Sequence, residues 1–145
     1  MSRVLAFSYD IALAFDKPVT NHSFVLRCLP ADGPGVQTTA AQAWALGQGV
    51  CQDYAHIYLA LARLCGLSAR YVNGLPEGEG ASHAWCEVWL DGIWTGIDPT
   101  RGRWADEGYI RFCVGRDFAD CPIERGVFLG GANQCQTVFM KVCQQ

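Results

Sequence analysis

Three side chains of this 145-residue chain have the types needed for nucleophilic catalysis: Cys51, His83 and Asp98. Cys51 follows a glycine-containing loop and stands where an apolar helical pattern begins. The unpaired backbone N–H groups and the positive dipole end of a helix start favour a thiolate, which is the nucleophilic form of cysteine. An imidazole that takes the thiol proton and a carboxylate that fixes the imidazole tautomer would complete a catalytic set.

A helix is predicted directly after Cys51, and Gly66 is its expected stop signal. Apolar residues recur at helical spacing along two faces of this segment: Tyr54, Ile57, Leu61 and Leu64 on one, and Ala55, Leu59 and Ala62 on the other. A helix that is apolar on two faces is expected to be buried at the centre of the fold. The sequence therefore predicts a buried central helix with the thiol at its start.

The positions of His83 and Asp98 follow from a predicted β-hairpin. Strands are expected at 83–90 and 93–98, on either side of an Asp-Gly pair, which is the strongest two-residue hairpin signal. A two-residue turn fixes the register and puts Trp85 opposite Asp98. Because alternate residues of a strand share a face, His83 and Asp98 become diagonal neighbours within reach of a hydrogen bond.

The rest of the chain predicts an α+β fold, with the central helix packed on an antiparallel sheet. Period-two apolar patterns indicate further strands at 5–15, 24–28, 67–72, 109–114, 126–129 and 137–140. The first two of these are expected to pair with each other, and the last two to flank a hairpin-like turn at 130–133. Residues 74–82 are predicted to form a flexible loop. A capping box of Thr39 and Gln42 predicts a short helix ahead of Cys51.

Composition narrows the function classes. Half of the residues are hydrophobic and 17% are charged, as in a globular domain. The net charge of −3 and the lack of a basic run argue against nucleic acid and anionic membranes as partners. No apolar run reaches bilayer length, and the N-terminus does not read as a signal peptide. The eight cysteines lack metal-ligand spacing, so we expect reduced thiols, a cytoplasmic location and no metal or organic cofactor.

Several short motifs occur together in one order: GVCQDYAH at 49–56, ARYVNG at 69–74, HAWCEVW at 83–89, Trp94, and IDPT at 97–100. In this they resemble the bacterial transglutaminase-like superfamily of predicted cysteine proteases. The resemblance implies a papain-like core in which Cys51 is the nucleophile, His83 the general base and Asp98 the orienting acid. Members include amide hydrolases as well as acyl-transfer enzymes.

The resemblance also suggests a division of the chain. Residues 37–145 correspond to the catalytic core. Residues 1–30 are similar to the opening strands of a β-rich domain that precedes this core in many relatives, so the chain resembles a shortened member. Strands without a partner domain would leave a sheet edge exposed, and we therefore expect a homodimer or strand exchange between chains.

The main functional hypothesis is thiol-dependent acyl transfer on a peptide, protein or other amide substrate. Hydrolysis is the default because water is always present, and an amine acceptor would instead give transglutamination. The alternative from another class is a non-catalytic binding module that keeps the fold. A third hypothesis, a disulfide-stabilised extracellular module, requires Cys51 to be bridged.

Neighbouring residues suggest secondary roles. Trp85 is the tryptophan expected to approach a substrate at the site. Arg101 and Arg103 are expected to be solvated, with a substrate carboxylate as the alternative ligand.

A zinc site is the competing use of the same region. Its ligands would be Cys51, His56, His83 and Cys86. Strand alternation points Cys86 away from His83, which disfavours this set. His56 is instead expected to be a packing or hydrogen-bonding residue of the central helix.

Overall fold

The computed structural model describes residues 4–26, 39–122 and 124–144. Within them the chain forms two α-helices, α1 (Ala40–Leu46) and α2 (Cys51–Leu64), and a short 3-10 helix, Phe118–Asp120. The strands are β1 (Leu5–Phe15), β2 (Thr20–Leu26), β3 (Ala69–Pro76), β4 (Gly78–Gly80), β5 (His83–Leu90), β6 (Ile93–Asp98), β7 (Arg103–Trp104), β8 (Tyr109–Gly115), β9 (Glu124–Leu129) and β10 (Gln134–Gln144).

The core of the fold is α2 packed on a five-stranded antiparallel sheet with the order β7-β6-β5-β3-β8. Helix residues Ala55 and Leu59 are buried against strand residues Tyr71, Ala84 and Cys86. The α+β class with a central helix on an antiparallel sheet is therefore confirmed. The capping box is confirmed as well: Gln42 N–H donates to Thr39 Oγ1, and the Gln42 side chain accepts from the Thr39 N–H.

Helix α2 is buried on one face only, so the expectation of burial on two faces is wrong. Ala55, Leu59 and Ala62 face the sheet and are buried. The second stripe lies on the opposite side of the helix, where Leu61 is 49% and Leu64 84% exposed. A single sheet layer can cover only one side of a helix, and α1 packs near the start of α2 rather than along its length.

The β5–β6 hairpin has the predicted register. Leu90 pairs with Ile93, and the ladder continues to Cys86 opposite Ile97. The turn residues Asp91 and Gly92 have φ values of 50° and 87°. Two consecutive positive φ angles belong to a type I′ turn, whose twist matches that of the strands. This turn fixes which residues of β5 and β6 share a face, including His83 and Asp98.

The N-terminal and C-terminal strands pair differently from the prediction. β1 pairs with β10, and β2 pairs with β9, so neither the β1–β2 pair nor a β9–β10 hairpin forms. The two ladders continue in one register. Phe15 pairs with Gln134 at the end of the first ladder, and Thr20 pairs with Leu129 five residues further along each strand. The two pairs are thus one long ribbon, interrupted where Asp16 accepts from both the backbone and the side chain of Asn133. A period-two pattern identifies a strand but carries no information about its partner.

This pairing removes the reason given for a homodimer, because the N-terminal strands have partners within the chain. The oligomeric state and the division at residues 1–30 and 37–145 stay predictions. The predicted strand residues 27 and 28 lie outside the described residues.

Residues 74–82 are more ordered than the predicted flexible loop. β3 continues to Pro76, and β4 adds a third strand beside β10. This extra strand brings the ribbon up to the end of β5 at which His83 lies.

Six of the cysteines in the described residues are free thiols, and Cys51 is one of them, half-buried. Cys113 is disulfide-bonded, so the expectation that all eight are reduced is wrong at this position. A disulfide-stabilised module that depends on a bridge at Cys51 is not what the structure has.

Candidate active site

Cys51 is the first residue of α2, as predicted, and a small network fixes the loop before it. The Asp53 carboxylate reaches back one turn and accepts the backbone N–H of Val50 through Oδ2 at 2.9 Å. Gly49 makes room for this contact, because a Cβ at that position would lie 2.7 Å from the Asp53 Cβ. The sequence Gly-Val-Cys-Gln-Asp therefore sets both the start of the helix and the position of the thiol.

His83, at the start of β5, lies close enough to Cys51 for the imidazole to interact with the thiol. Burial by itself would raise the pKa of the Cys51 thiol. The hydrogen bond with His83, and then the backbone at Ala84, outweigh burial, so that the pKa lies below its ordinary value. The structure thus places a half-buried thiol where its ionised form is favoured.

Asp98 holds the far side of the His83 ring. His83 Nε2 lies 2.7 Å from Asp98 Oδ2. A carboxylate only accepts, so this contact places a proton on Nε2 and leaves Nδ1 as the ring nitrogen that can serve the thiol. Burial would lower the pKa of His83, but the hydrogen bonds with Cys51 and Asp98 raise it above its ordinary value. The three predicted residues are therefore brought together in one series, in which His83 lies between Cys51 and Asp98.

The Asp98 carboxylate is fully buried and is held by donors on both oxygens. Oδ1 accepts the backbone N–H groups of Thr100 and Arg101, each at 3.1 Å. Oδ2 accepts from His83 and also from the Tyr109 hydroxyl at 2.8 Å. A buried carboxylate needs such partners, because an unpaired buried charge is costly.

A cavity of about 150 Å³ opens beside His83, between the end of β3, β4 and β10. Arg101 and Glu77 lie on its wall together with the apolar side chains of Met140 and Val142. Because the cavity shares His83 with the thiol, a group bound there would lie next to the reacting atoms.

Arg101 and Arg103 are exposed, as expected for solvated side chains, but both also have partners around Asp98. Arg101 Nε lies 3.8 Å from Asp98 Oδ2, and its side chain is 40% exposed. Arg103 Nε donates to the Tyr109 hydroxyl at 3.0 Å, and its guanidinium lies over the Tyr109 ring. Both arginines therefore belong to the surroundings of Asp98.

Trp85 is 2% exposed and lies beneath the site. Its ring packs edge-on against Tyr109, with centroids 5.2 Å apart, and lies near the His83 ring. Trp85 also lines a cavity of about 400 Å³ together with Tyr109 and Trp94, and its contact with a substrate stays a prediction.

Cys86 and His56 lie apart from the series. Cys86 is on the helix-facing side of β5, where its thiol donates to the Ala55 carbonyl at 3.2 Å. His56 Nε2 accepts the Phe118 N–H at 3.2 Å, which is the hydrogen-bonding role predicted for it. Among residues 4–26, 39–122 and 124–144, no group of three or more His, Cys, Asp or Glu side chains could hold a metal ion.

Sequence reasoning did not identify two residues of the site, Asp53 and Tyr109. An acid at the third position of a helix is typical of a capping residue, and this signal could have found Asp53. Tyr109 begins β8, which pairs with β3 and not with the hairpin that carries His83 and Asp98. No local spacing relates it to Asp98, so the sequence holds no comparable signal for it.

The model of the Transglutaminase-like superfamily matches residues 11–99. The match therefore contains Cys51, His83 and Asp98. An uncharacterized protein of Mycobacterium leprae is 37% identical over 115 residues, which are 72% of this chain and 41% of the relative. An uncharacterized protein of Mycobacterium tuberculosis is 40% identical over 96 residues, which are 55% of this chain and 31% of the relative. The chain thus spans less than half the length of these relatives.

A crystal structure of a candidate cysteine protease from Cytophaga hutchinsonii has a similar fold. Its TM-score is 0.64 with 26% sequence identity, and the similarity covers 82% of this chain and 40% of that one. No helix in the described part of this chain is long and apolar enough to cross a membrane.

Proposed function

Because the chain belongs to the transglutaminase-like superfamily, we propose that it is a thiol-dependent enzyme that transfers acyl groups from amide bonds. The single observation that carries this proposal is the series Cys51, His83, Asp98, in which His83 lies between a thiol at a helix start and a buried carboxylate. The name of the structural neighbour, a candidate cysteine protease, agrees with it.

In the first step the Cys51 sulfur attacks the carbonyl carbon of the amide. A carbon–sulfur bond forms, and the carbonyl electron pair moves to oxygen. His83, protonated in the ion pair with the thiolate, then gives its proton to the leaving nitrogen as the carbon–nitrogen bond breaks. The products are an acyl-thioester on Cys51, a free amine and a neutral imidazole.

The charge that develops on the carbonyl oxygen needs hydrogen-bond donors. The first backbone N–H groups of a helix have no carbonyl one turn back to which they could donate, and that of Cys51 is among them. The N–H of Asp53 differs, because it donates to the Val50 carbonyl at 2.9 Å. The loop fixed by Asp53 and Gly49 holds this turn in place. These groups are the proposed oxyanion donors.

In the second step the neutral His83 takes a proton from the acceptor, and the acceptor attacks the carbonyl carbon of the thioester. The carbon–sulfur bond breaks, and Cys51 leaves as the thiolate beside the protonated His83. Water as acceptor releases a carboxylic acid and completes hydrolysis. An amine as acceptor forms a new amide and completes transglutamination. Asp98 keeps the imidazole in one tautomer through both steps and does not itself take a proton.

Activity on a protein substrate tests this proposal. Fluorescein-labelled casein reports hydrolysis, and incorporation of monodansylcadaverine into dimethylated casein reports transfer to an amine. We expect Cys51→Ala to abolish whichever activity the parent shows. Cys65→Ala is the matched control, because Cys65 is an exposed free thiol just after α2 and should be dispensable.

The non-catalytic module makes the opposite prediction. A protein that keeps the fold only for binding has no need of an ionised thiol. If neither activity is found and iodoacetamide fails to modify Cys51 ahead of the other free thiols at pH 6.5, the enzyme proposal is wrong and the binding module becomes the better account.

A further inference from the structure

Tyr109 shares one carboxylate oxygen with His83. The Tyr109 hydroxyl donates to Asp98 Oδ2 at 2.8 Å, and His83 Nε2 lies 2.7 Å from the same atom. Asp98 is fully buried, so water does not compete for this oxygen. The two donors therefore share the charge at Oδ2, with Arg101 Nε farther away at 3.8 Å.

Arg103 fixes the direction of the Tyr109 hydroxyl. Arg103 Nε donates to Tyr109 Oη at 3.0 Å, so the hydroxyl accepts on one side and must direct its own proton to Asp98. A hydroxyl that accepts from a cation becomes a stronger donor, because neighbouring hydrogen bonds polarise one another. The ring is held edge-on against Trp85 and under the Arg103 guanidinium.

The other donors to Asp98 are independent of Tyr109. Oδ1 is held by the backbone N–H groups of Thr100 and Arg101, whose positions follow from the turn after β6. These two bonds keep the carboxylate oriented toward His83 when the Tyr109 hydroxyl is removed. Tyr109 therefore affects the charge at Oδ2 more than it affects the orientation of the Asp98 carboxylate.

We propose that Tyr109, backed by Arg103, is a positioning residue that limits how tightly Asp98 holds the proton of His83. This inference rests on the proposed function for its purpose: an imidazolium must give its proton to the leaving amine, and too strong a hold by Asp98 would slow that transfer. Without the phenol, Oδ2 would place more of its charge on His83, since only Arg101 Nε, 3.8 Å away, would also face this oxygen.

The charged and titratable groups around His83 are few. Cys51 faces it from α2, and Asp98 faces it from the end of β6. Arg101 and Glu77 share the cavity beside it, and Tyr109 reaches it through Asp98. Replacing Cys51 by Ala removes the thiolate that would titrate together with His83, and so isolates the effect of Asp98.

The experiment is an NMR titration of His83 in full-length protein labelled with [15N]histidine and carrying Cys51→Ala. Tyr109→Phe keeps the ring on Trp85 but removes the hydroxyl. We expect it to raise the pKa of His83 by about half a pH unit or more. Arg103→Lys keeps the positive charge but loses the planar Nε donor, and we expect a smaller rise.

Tyr58→Phe is the matched control, because it removes a phenol from the middle of α2, about two turns after Cys51, and should leave the pKa of His83 unchanged. If Tyr109 only stabilises the fold, its loss loosens Asp98, and the pKa of His83 falls or stays the same. Either result overturns the inference. Should Tyr109→Phe not fold, Arg103→Lys decides the matter: a rise supports the inference and no rise overturns it.

These readouts need no catalysis. Suppose that Tyr109→Phe raises the pKa of His83 but that iodoacetamide does not modify Cys51 ahead of the other free thiols. This result would contradict the proposed function and support this inference. Preferential alkylation of Cys51 with no change in the pKa of His83 would support the proposed function and contradict this inference.

Discussion

Cys51 and Cys86 lie at the same helix–sheet interface and have opposite chemistry. Cys86 stands in the middle of β5 behind α2, fully buried, with the Ala55 carbonyl as its hydrogen-bond partner. Burial raises the pKa of its thiol to about 12. Cys51 stands at the open end of the interface, and the hydrogen bond with His83 lowers the pKa of its thiol despite burial.

The comparison shows that position at a helix–sheet interface does not decide whether a cysteine is reactive. Reactivity depends on whether a group beside the thiol stabilises its ionised form. Burial raises the pKa of either thiol and prevails at Cys86, whereas at Cys51 the interaction with the His83 imidazole helps to outweigh burial and lowers the pKa. Cys86 is therefore a small core residue, and Cys51 has the surroundings of a nucleophile.

The two histidines repeat this lesson. His56 and His83 are both half-buried, and burial lowers the pKa of either ring. His56 serves as an acceptor for the Phe118 N–H, and burial prevails, so its pKa is lowered. His83 lies between a thiol and a carboxylate, and these partners raise its pKa.

Replacement of each thiol by Ala gives the largest expected difference in turnover. We expect Cys51→Ala to remove amide cleavage or amine transfer, by a factor on the order of 10⁶ if it resembles loss of the nucleophile in a serine hydrolase. Cys86→Ala removes a thiol from the core and should lower the melting temperature while leaving turnover close to that of the parent. Comparable losses of turnover in both variants would erase the distinction between them.

Asp98→Asn tests the carboxylate behind His83. An amide can present its N–H₂ group to Nε2 and so favour the wrong tautomer, and the equivalent change in a serine protease lowers kcat about 10⁴-fold. We expect a strong loss of turnover in a folded protein, measured on the substrate that the parent cleaves. An Asn variant with nearly full activity would show that Asp98 does not orient His83.

His56→Gln tests the pH dependence of stability. Because the folded-state pKa of His56 is lowered, its contribution is present above the unfolded value of about 6.5 and is lost as the pH falls through the folded value. His83 has the opposite sign: its contribution is present below about 6.5 and is lost as the pH rises through its raised value.

Glutamine at position 56 can still accept the Phe118 N–H but does not titrate. We expect the loss of unfolding free energy between pH 7.5 and 5.5 to be smaller in His56→Gln than in the parent, by about 1 kcal/mol or less. Urea unfolding at several pH values measures this difference. Identical pH profiles for the two proteins would rule out His56 as the titrating group.

The sequence was informative wherever a local pattern fixed the geometry. The Asp-Gly turn determined the β5–β6 register, and from it the diagonal contact of His83 with Asp98. The helix start determined the surroundings of Cys51. The pairing of β1 with β10 and of β2 with β9 was not predictable, because it joins strands about 100 residues or more apart that share no turn.

The same limit explains what was missed around the site. Tyr109 reaches Asp98 because β8 lies across β3 from the hairpin, and only the order of the strands reveals this. The exposed stripe of α2 was predicted to be buried because an apolar pattern cannot tell which of two faces the sheet will cover.

The central claim is that Cys51 and His83 form a thiolate–imidazolium pair, and the pH dependence of alkylation tests it most directly. An ordinary thiol with a pKa of about 8.5 is roughly 1% ionised at pH 6.5, and this fraction falls about tenfold per pH unit. A limiting dose of iodoacetamide with mass mapping should modify Cys51 ahead of Cys65, Cys135 and Cys143, with a preference that grows from pH 7.5 to 5.5. His83→Gln should remove the preference, and His56→Gln should keep it. Labelling that is spread over the exposed thiols, or Cys51 labelling that is indifferent to His83, would contradict the account.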